Sequence, residues 1–303
     1  MEKKTAYIGH LACLVAYAIF GINIIICKDL TSSHLISPIA LFTLRSIGAG
    51  VLFWILSLFM PHEKVEKKDF PKIMAASIFG FFLTQITFLM AIPDITPMNC
   101  SILSAMSPIY TMFIAAFALK EPITWKKTSG VVLSFAGIIY LILNSVSRNN
   151  GVVESTPMGI FLIVMNSLCF SIYLGVFKPI ITKYSVITFM KWIFLCSLLL
   201  SLPLSGKELM GIDYTQIPTT YYWELSFLIV CATFITYFLI PVGQKRIRPT
   251  LVSMYSYVQP IIAIVISISI GMDQLSWQKV LSIITVFTGV LLVNYSRTAS
   301  RPK

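Results

Sequence analysis

Runs of about 20 mainly apolar residues, the length a helix needs to cross about 30 Å of hydrocarbon, recur along this chain from one end to the other. Bounded by charge, proline or turn residues, ten are found, at 6–27, 35–60, 73–92, 97–119, 127–147, 158–177, 185–203, 223–243, 249–271 and 278–295. The longest connection is 204–222, so the sequence predicts a single membrane domain over 1–303. Composition agrees, since 57% of the 303 residues are hydrophobic and 12% charged, against about 45–50% apolar and about 25% charged in soluble domains. A backbone in lipid must satisfy its polar groups internally, which the helix does within one segment. The expected fold class is an all-α integral membrane protein with ten transmembrane helices. The start, Met1-Glu2-Lys3-Lys4 and an apolar stretch, has the outline of a secretion signal. Its run is too long, and Lys28-Asp29 follows without a small-residue cleavage site, so the first helix is expected to stay uncleaved.

The charges exclude some functions and orient the chain. A net charge of +11 would suit a nucleic-acid partner if it formed a patch on a folded surface, but the basic residues fall almost entirely in short gaps between apolar runs, so no nucleic acid is expected. Of the 23 Lys and Arg, 17 fall in segments sharing the side of the N-terminus and 4 (Lys28, Arg148, Lys207, Lys279) on the other, while Arg45 and Lys191 lie inside spans. Short basic loops stay in the cytoplasm, so both termini are expected there, in what would be a bacterial inner membrane. The six cysteines all sit in apolar runs without CxxC spacing and read as small hydrophobes rather than disulfides or metal ligands. No nucleophile elbow, phosphate loop or ligand cluster is visible in the sequence, and neither enzyme activity nor a cofactor is expected.

Shifting the chain against itself by 152 residues aligns Pro97 with Pro249, Ser101 with Ser253, Ser104 with Ser256, Pro108 with Pro260, Trp125 with Trp277 and Gly137 with Gly289. A shift of 150 aligns Gly9 with Gly159, Phe20 with Phe170 and Lys28 with Lys178. The chain thus reads as a duplication, 1–147 and 157–296. Five helices per copy is an odd number, so the second copy enters the membrane from the opposite side. Two inverted bundles can rock about a shared midplane site and open it to either face.

The stretch Pro97-Met-Asn-Cys-Ser-Ile-Leu-Ser-Ala-Met-Ser-Pro108, then Lys120-Glu121-Pro-Ile-Thr-Trp-Lys-Lys-Thr-Ser-Gly130 and Gly137, resembles the EamA repeat of the drug/metabolite transporter superfamily. The second copy is similar but looser, with Asp273 for the Glu and Ser282 where Gly130 stands. The resemblance covers essentially the whole chain. It implies a metabolite transporter, with export the expected direction, and leaves the substrate open among amino acids, sugar phosphates, nucleotide sugars, drugs and other metabolites. A non-transporting membrane subunit or ligand sensor is the other class that the sequence leaves open.

Polar groups inside apolar spans are where a substrate would be held. Pro108 and Pro260 fall mid-span and each frees the carbonyl four residues earlier, of Ser104 and Ser256. Either the kinks line a wet cavity with Ser104, Ser107, Ser256 and Gln259, or they pack against protein. Arg45 lies about 15 Å into the second span by helical rise and must face the interior. Its fork of donors suits a carboxylate or phosphate, or else holds neighbouring helices together. Lys191 is its counterpart near a span end, where snorkelling to the interface is open to it. Asn23, Thr84, Gln85, Asn166, Tyr173, Thr236 and Tyr237 complete the set. By repeat alignment Asn23 matches Tyr173, Thr84 matches Thr236 and Gln85 matches Tyr237. No acidic residue falls at mid-membrane, so coupling through a central carboxylate is not expected, and His10, a tyrosine or simple exchange would have to serve. Together these residues predict a carrier of a small polar metabolite, zwitterionic or anionic and amino-acid-like, working by alternating access.

Overall fold

The structure, a computed structural model, describes residues 2–33, 35–119, 125–146, 155–212 and 214–295. Regular structure among them is entirely helical. In chain order the elements are α1 (Glu2–Ser32), α2 (Pro38–Leu58), α3 (Lys67–Asp94), α4 in two pieces (Pro97–Ser104 and Ser107–Leu119) and α5 (Trp125–Val146). They continue with α6 (Pro157–Val176), a short helix Lys178–Lys183, α7 (Val186–Met210), α8 (Thr219–Arg246), α9 (Pro249–Ser269) and α10 (Trp277–Tyr295). Among the described residues seven helices, α1, α2, α3, α6, α7, α8 and α9, are long and apolar enough to cross a membrane. The described residues of the spans expected at 97–119, 127–147 and 278–295 are helical as well, save for the break at Ala105 and Met106. Of these, α4 is broken midway, between Ser104 and Ser107.

Helix starts follow from local chemistry. Ser37, Thr96 and Thr156 each precede a proline, and each side-chain oxygen accepts a backbone N–H, from Ala40 (3.2 Å), Asn99 (3.3 Å) and Gly159 (3.0 Å). A hydroxyl cap satisfies one orphan donor while proline at the first helical position forfeits nothing. Ser276 caps α10 through Lys279 N at 3.3 Å; Thr124 and Glu121 lie outside the described residues. Trp125 and Trp277 project from the bundle surface, where interfacial anchors belong.

Four helices, α1, α3, α7 and α8, are longer than the sequence suggests, and for two of them side-chain bonds give the cause. α7 does not stop at 203 but runs through Pro203 to Met210, where Ser205 donates to Ser201 O and accepts from Thr43 Oγ1 at 2.8 Å. That cross-link to α2 holds a turn that proline weakens. α1 continues past 27 to Ser32 because Lys28 Nζ bonds the carbonyls of Ile92 (3.0 Å) and Pro93 (2.8 Å) at the end of α3.

Small residues set the closest helix contact. Gly137 of α5 meets Val286 of α10, Gly289 of α10 meets Gly130 and Ser134 of α5, and Ser134 Oγ donates to Val286 O at 3.2 Å. In lipid such small-residue seams are what bring helices together. Both α3 and α8 contain a π-helical turn, Ile78–Phe82 and Val230–Ile235. These are 152 positions apart at their starts, since 230 − 78 = 152. Thr84 Oγ1 bonds Phe79 O at 2.5 Å and Thr233 Oγ1 bonds Leu228 O at 2.6 Å, each reaching back five residues. Turns of this kind insert one extra residue and are frequent at functional sites.

Candidate functional site

The π turns re-aim the side chains that follow them, Thr84 and Gln85 on α3 and Tyr237 on α8, into a cavity at the middle of the bundle. It holds about 520 Å³ of space, its mouth included, lined by Tyr17, Phe20, Asn23 and Ile24 from α1, Thr84, Gln85 and Phe88 from α3, and Ser104 and Ser107 from α4. The other wall is Asn166 and Phe170 from α6, Tyr237 from α8, and Ser256 and Gln259 from α9. Asn23, Gln85, Ser104, Ser107, Asn166, Tyr237, Ser256 and Gln259, singled out from sequence, are thus brought together.

The structure does not bring Arg45 and Tyr173 to that cavity. Arg45 is wholly buried in the seam between α1, α2 and α8, with Nε donating to Thr233 Oγ1 at 2.8 Å and Nη1 to Cys27 Sγ at 3.6 Å. Its position favours the helix-holding alternative over anion recognition, for α2 contributes nothing to the lining. The Tyr173 ring lies flat against Gly80 in the π turn of α3 and stacks on Phe170 at 5.9 Å. Lys191 does not snorkel: it is buried, its Nζ 5.0 Å from the centre of the Trp54 ring, where the ring face stabilises the cation. His10 Nδ1 pairs with Tyr255 OH at 2.8 Å, away from the lining. Thr236 returns its hydroxyl to Ala232 O at 2.6 Å.

The cavity's polar groups are partly committed. Gln85 Nε2 donates to Tyr237 OH at 2.8 Å, joining residues 152 apart, while Gln85 Oε1 is buried with no partner. Asn166 Nδ2 donates to Thr84 O at 2.6 Å, and Asn23 Oδ1 accepts from Cys27 Sγ at 3.6 Å. Tyr17 OH and Ser256 Oγ are buried and unpartnered. None of the lining residues carries a charge.

The helices that carry Pro108 and Pro260 both break beside this space. α4 pauses at Ala105 and Met106, where the carbonyl of Ser104, freed by Pro108, accepts from Ser107 Oγ at 2.9 Å. α9 passes through a tight turn at Tyr255–Tyr257 ahead of Pro260. Ser107 O accepts from Ser171 Oγ at 3.0 Å, fixing α4 to α6.

Each end of the bundle is fastened around the cavity. At one, the Lys28 clasp on α3 is joined by Asp273, whose carboxylate accepts from Met98 N at 2.9 Å at the start of α4. Asp273 is buried, paired with Lys279 at 3.3 Å across its own loop, and also reaches across to α4. At the other end Lys178, the repeat counterpart of Lys28, donates to Ile247 O at 2.8 Å at the end of α8. Beside it Lys183 pairs with Glu66 (2.6 Å) and Asp69 (2.5 Å).

Sequence reasoning missed the aromatic part of the lining, Tyr17, Phe20, Phe88 and Phe170. A signal existed, because Phe20 and Phe170 align in the repeat, but aromatic residues in apolar spans are otherwise unremarkable.

Comparison with known proteins finds the EamA-like transporter family matching residues 7–143 and 157–295. A protein named an uncharacterized transporter of Archaeoglobus fulgidus is 27% identical over 157 residues, 52% of this chain and 53% of its own length, so the chain spans about half of that relative. The uncharacterized transporter YetK of Bacillus subtilis (strain 168) is 24% identical over 294 residues, 94% of this chain and 86% of that protein. A crystal structure 15% identical superposes with a TM-score of 0.67 over 96% of this chain and 98% of its own, a likeness of fold.

Proposed function

Because the chain belongs to the EamA-like transporter family, and so among multi-pass membrane transporters rather than enzymes, we propose that it is a secondary carrier moving a small polar metabolite by alternating access. Ten transmembrane helices in two inverted copies, 1–147 and 157–296, form this carrier. Contacts between residues that the repeat aligns support that arrangement: Gln85 bonds Tyr237, and Ser134 bonds Val286, each pair 152 apart. Residues equivalent under a two-fold axis meet where the axis passes between them. The basic loops support cytoplasmic termini in an inner membrane, and the family resemblance supports export as the direction.

The observation that carries the reading is the mid-bundle cavity. It is lined by α1, α3 and α4 of one copy and α6, α8 and α9 of the other, the place where rocking of two halves would expose a site to either face in turn. Eight of its residues (Asn23, Gln85, Ser104, Ser107, Asn166, Tyr237, Ser256 and Gln259) bind the substrate in this account, with Pro108 and Pro260 setting the breaks beside them. A net-neutral polar solute fits better than an anionic one, since Arg45 lies off the cavity and the lining is uncharged. The test is efflux from vesicles reconstituted with purified protein and loaded with a mixture of polar metabolites. At least one net-neutral solute should leave faster than from protein-free vesicles, and Gln85→Leu should slow it; equal retention of every solute rejects the carrier.

A further inference from the structure

The cavity combines two features that together narrow its ligand. Its walls are aromatic at Tyr17, Phe88 and Phe170, and its polar groups are carboxamides whose bonds are half made. Gln85 and Asn166 each spend the amino end on the protein, on Tyr237 OH and Thr84 O. That leaves two amide carbonyl oxygens as acceptors without a protein donor, the Gln85 one wholly buried. The Ser256 hydroxyl, also buried and unheld, can supply a donor. A buried acceptor left without a donor is destabilising, so the site is suited to completion by a ligand.

An anion has no cation among the lining side chains, and a cation no carboxylate. Aromatic faces, two free amide acceptors and a hydroxyl donor instead match a flat, uncharged ring with N–H and C=O or ring nitrogen on its edge, since carboxamides bond the edges of bases while aromatic side chains stack on their faces. Resting on the carrier reading, we propose that the cavity takes a neutral planar heterocycle of the nucleobase or nucleoside class, its N–H edge on Gln85 and Asn166 and its face against the aromatic wall.

The experiment is thermal stabilisation of the purified full chain by adenine, uracil and their nucleosides, beside alanine, glutamate and tetraphenylphosphonium. At least one base or nucleoside should raise Tm, and Gln85→Met should weaken its binding about tenfold, the loss of one or two buried hydrogen bonds. Ser256→Ala guards against misfolding. It removes a hydroxyl that no protein group holds, so it should leave the ligand-free Tm unchanged or higher and still weaken the ligand. Stabilisation by alanine, glutamate or the phosphonium ion but by no base or nucleoside overturns the substrate class, as does wild-type binding in both variants. A base that binds yet is not moved by reconstituted vesicles leaves the class standing and removes the carrier.

Discussion

Arg45 shows how far a single residue can be read from sequence and where reading stops. That an arginine so deep in a span is buried inside protein follows from the cost of a charge in hydrocarbon, and it is wholly buried. Which seam it faces depends on the rotation of α2, which sequence leaves free because both Leu44 and Ser46 beside it suit either side. Its partners Thr233 and Cys27 make it a strut between three helices. Arg45→Leu should therefore lower stability by about 1–3 kcal/mol through the lost charge-assisted bonds between helices, seen as a lower Tm in detergent, while KM for transport in the folded fraction stays at the wild-type value. A large change in KM would return Arg45 to the binding site. Tyr173 was hidden for a similar reason. The missing side chain of Gly80 makes a seat for its ring, a contact between α3 and α6 that neither helix announces alone. Gly80→Ala puts a Cβ into that ring and should destabilise by about 1–3 kcal/mol, a drop in Tm that Tyr173→Ala in the same chain partly relieves.

At the scale of elements, helix starts were legible because a hydroxyl before a proline is a local signal, as at Ser37, Thr96 and Thr156. The π turns were not. Nothing in Ile78–Phe82 or Val230–Ile235 differs in composition from an ordinary apolar helix, and the bulge is set by what packs beside it. The ends of α1 and α7 were misjudged because they are held by tertiary bonds, from Lys28 and Thr43, rather than by hydropathy. The connection before α3 makes a prediction of its own. Hydrogen bonds from Lys183, and then Lys68, hold the Glu66 carboxyl below the usual carboxylate range. A depressed carboxyl contributes stability above its unfolded value of about 4.3 and loses it as pH falls through the folded one. Hydrogen exchange around Glu66, corrected for intrinsic rate, should thus quicken on acidification below about pH 4, and Lys183→Met should bring the same loosening at neutral pH. Unchanged protection in both would show the pair to be ornamental.

For the whole molecule, the recurrence of long apolar runs and the 152-residue self-match carried most of what the sequence could say. Symmetry located the polar set, since a residue weak as evidence alone gained weight when its partner copy carried another polar group, as Gln85 and Tyr237 do before meeting at 2.8 Å. The aromatic half of the lining escaped because hydrophobic side chains look alike whether they face lipid, protein or a ligand. The two lysine clasps, Lys28 on α3 and Lys178 on α8, sit at opposite ends of the cavity, and opening toward either end must break one of them. Lys28→Met and Lys178→Met should each favour opening at its own end, raising thiol-reagent access to the cavity from that face about tenfold if the clasp contributes about 1.4 kcal/mol; access rising from the same face in both would refute the assignment.

The most direct test of the alternating cavity is a cysteine at Ser256 in a chain freed of its six native cysteines, probed in oriented vesicles with a membrane-impermeant thiol reagent applied to one face at a time. The cavity account expects modification from both faces, slowed by a transported solute. Modification from one face alone, or from neither, would contradict it.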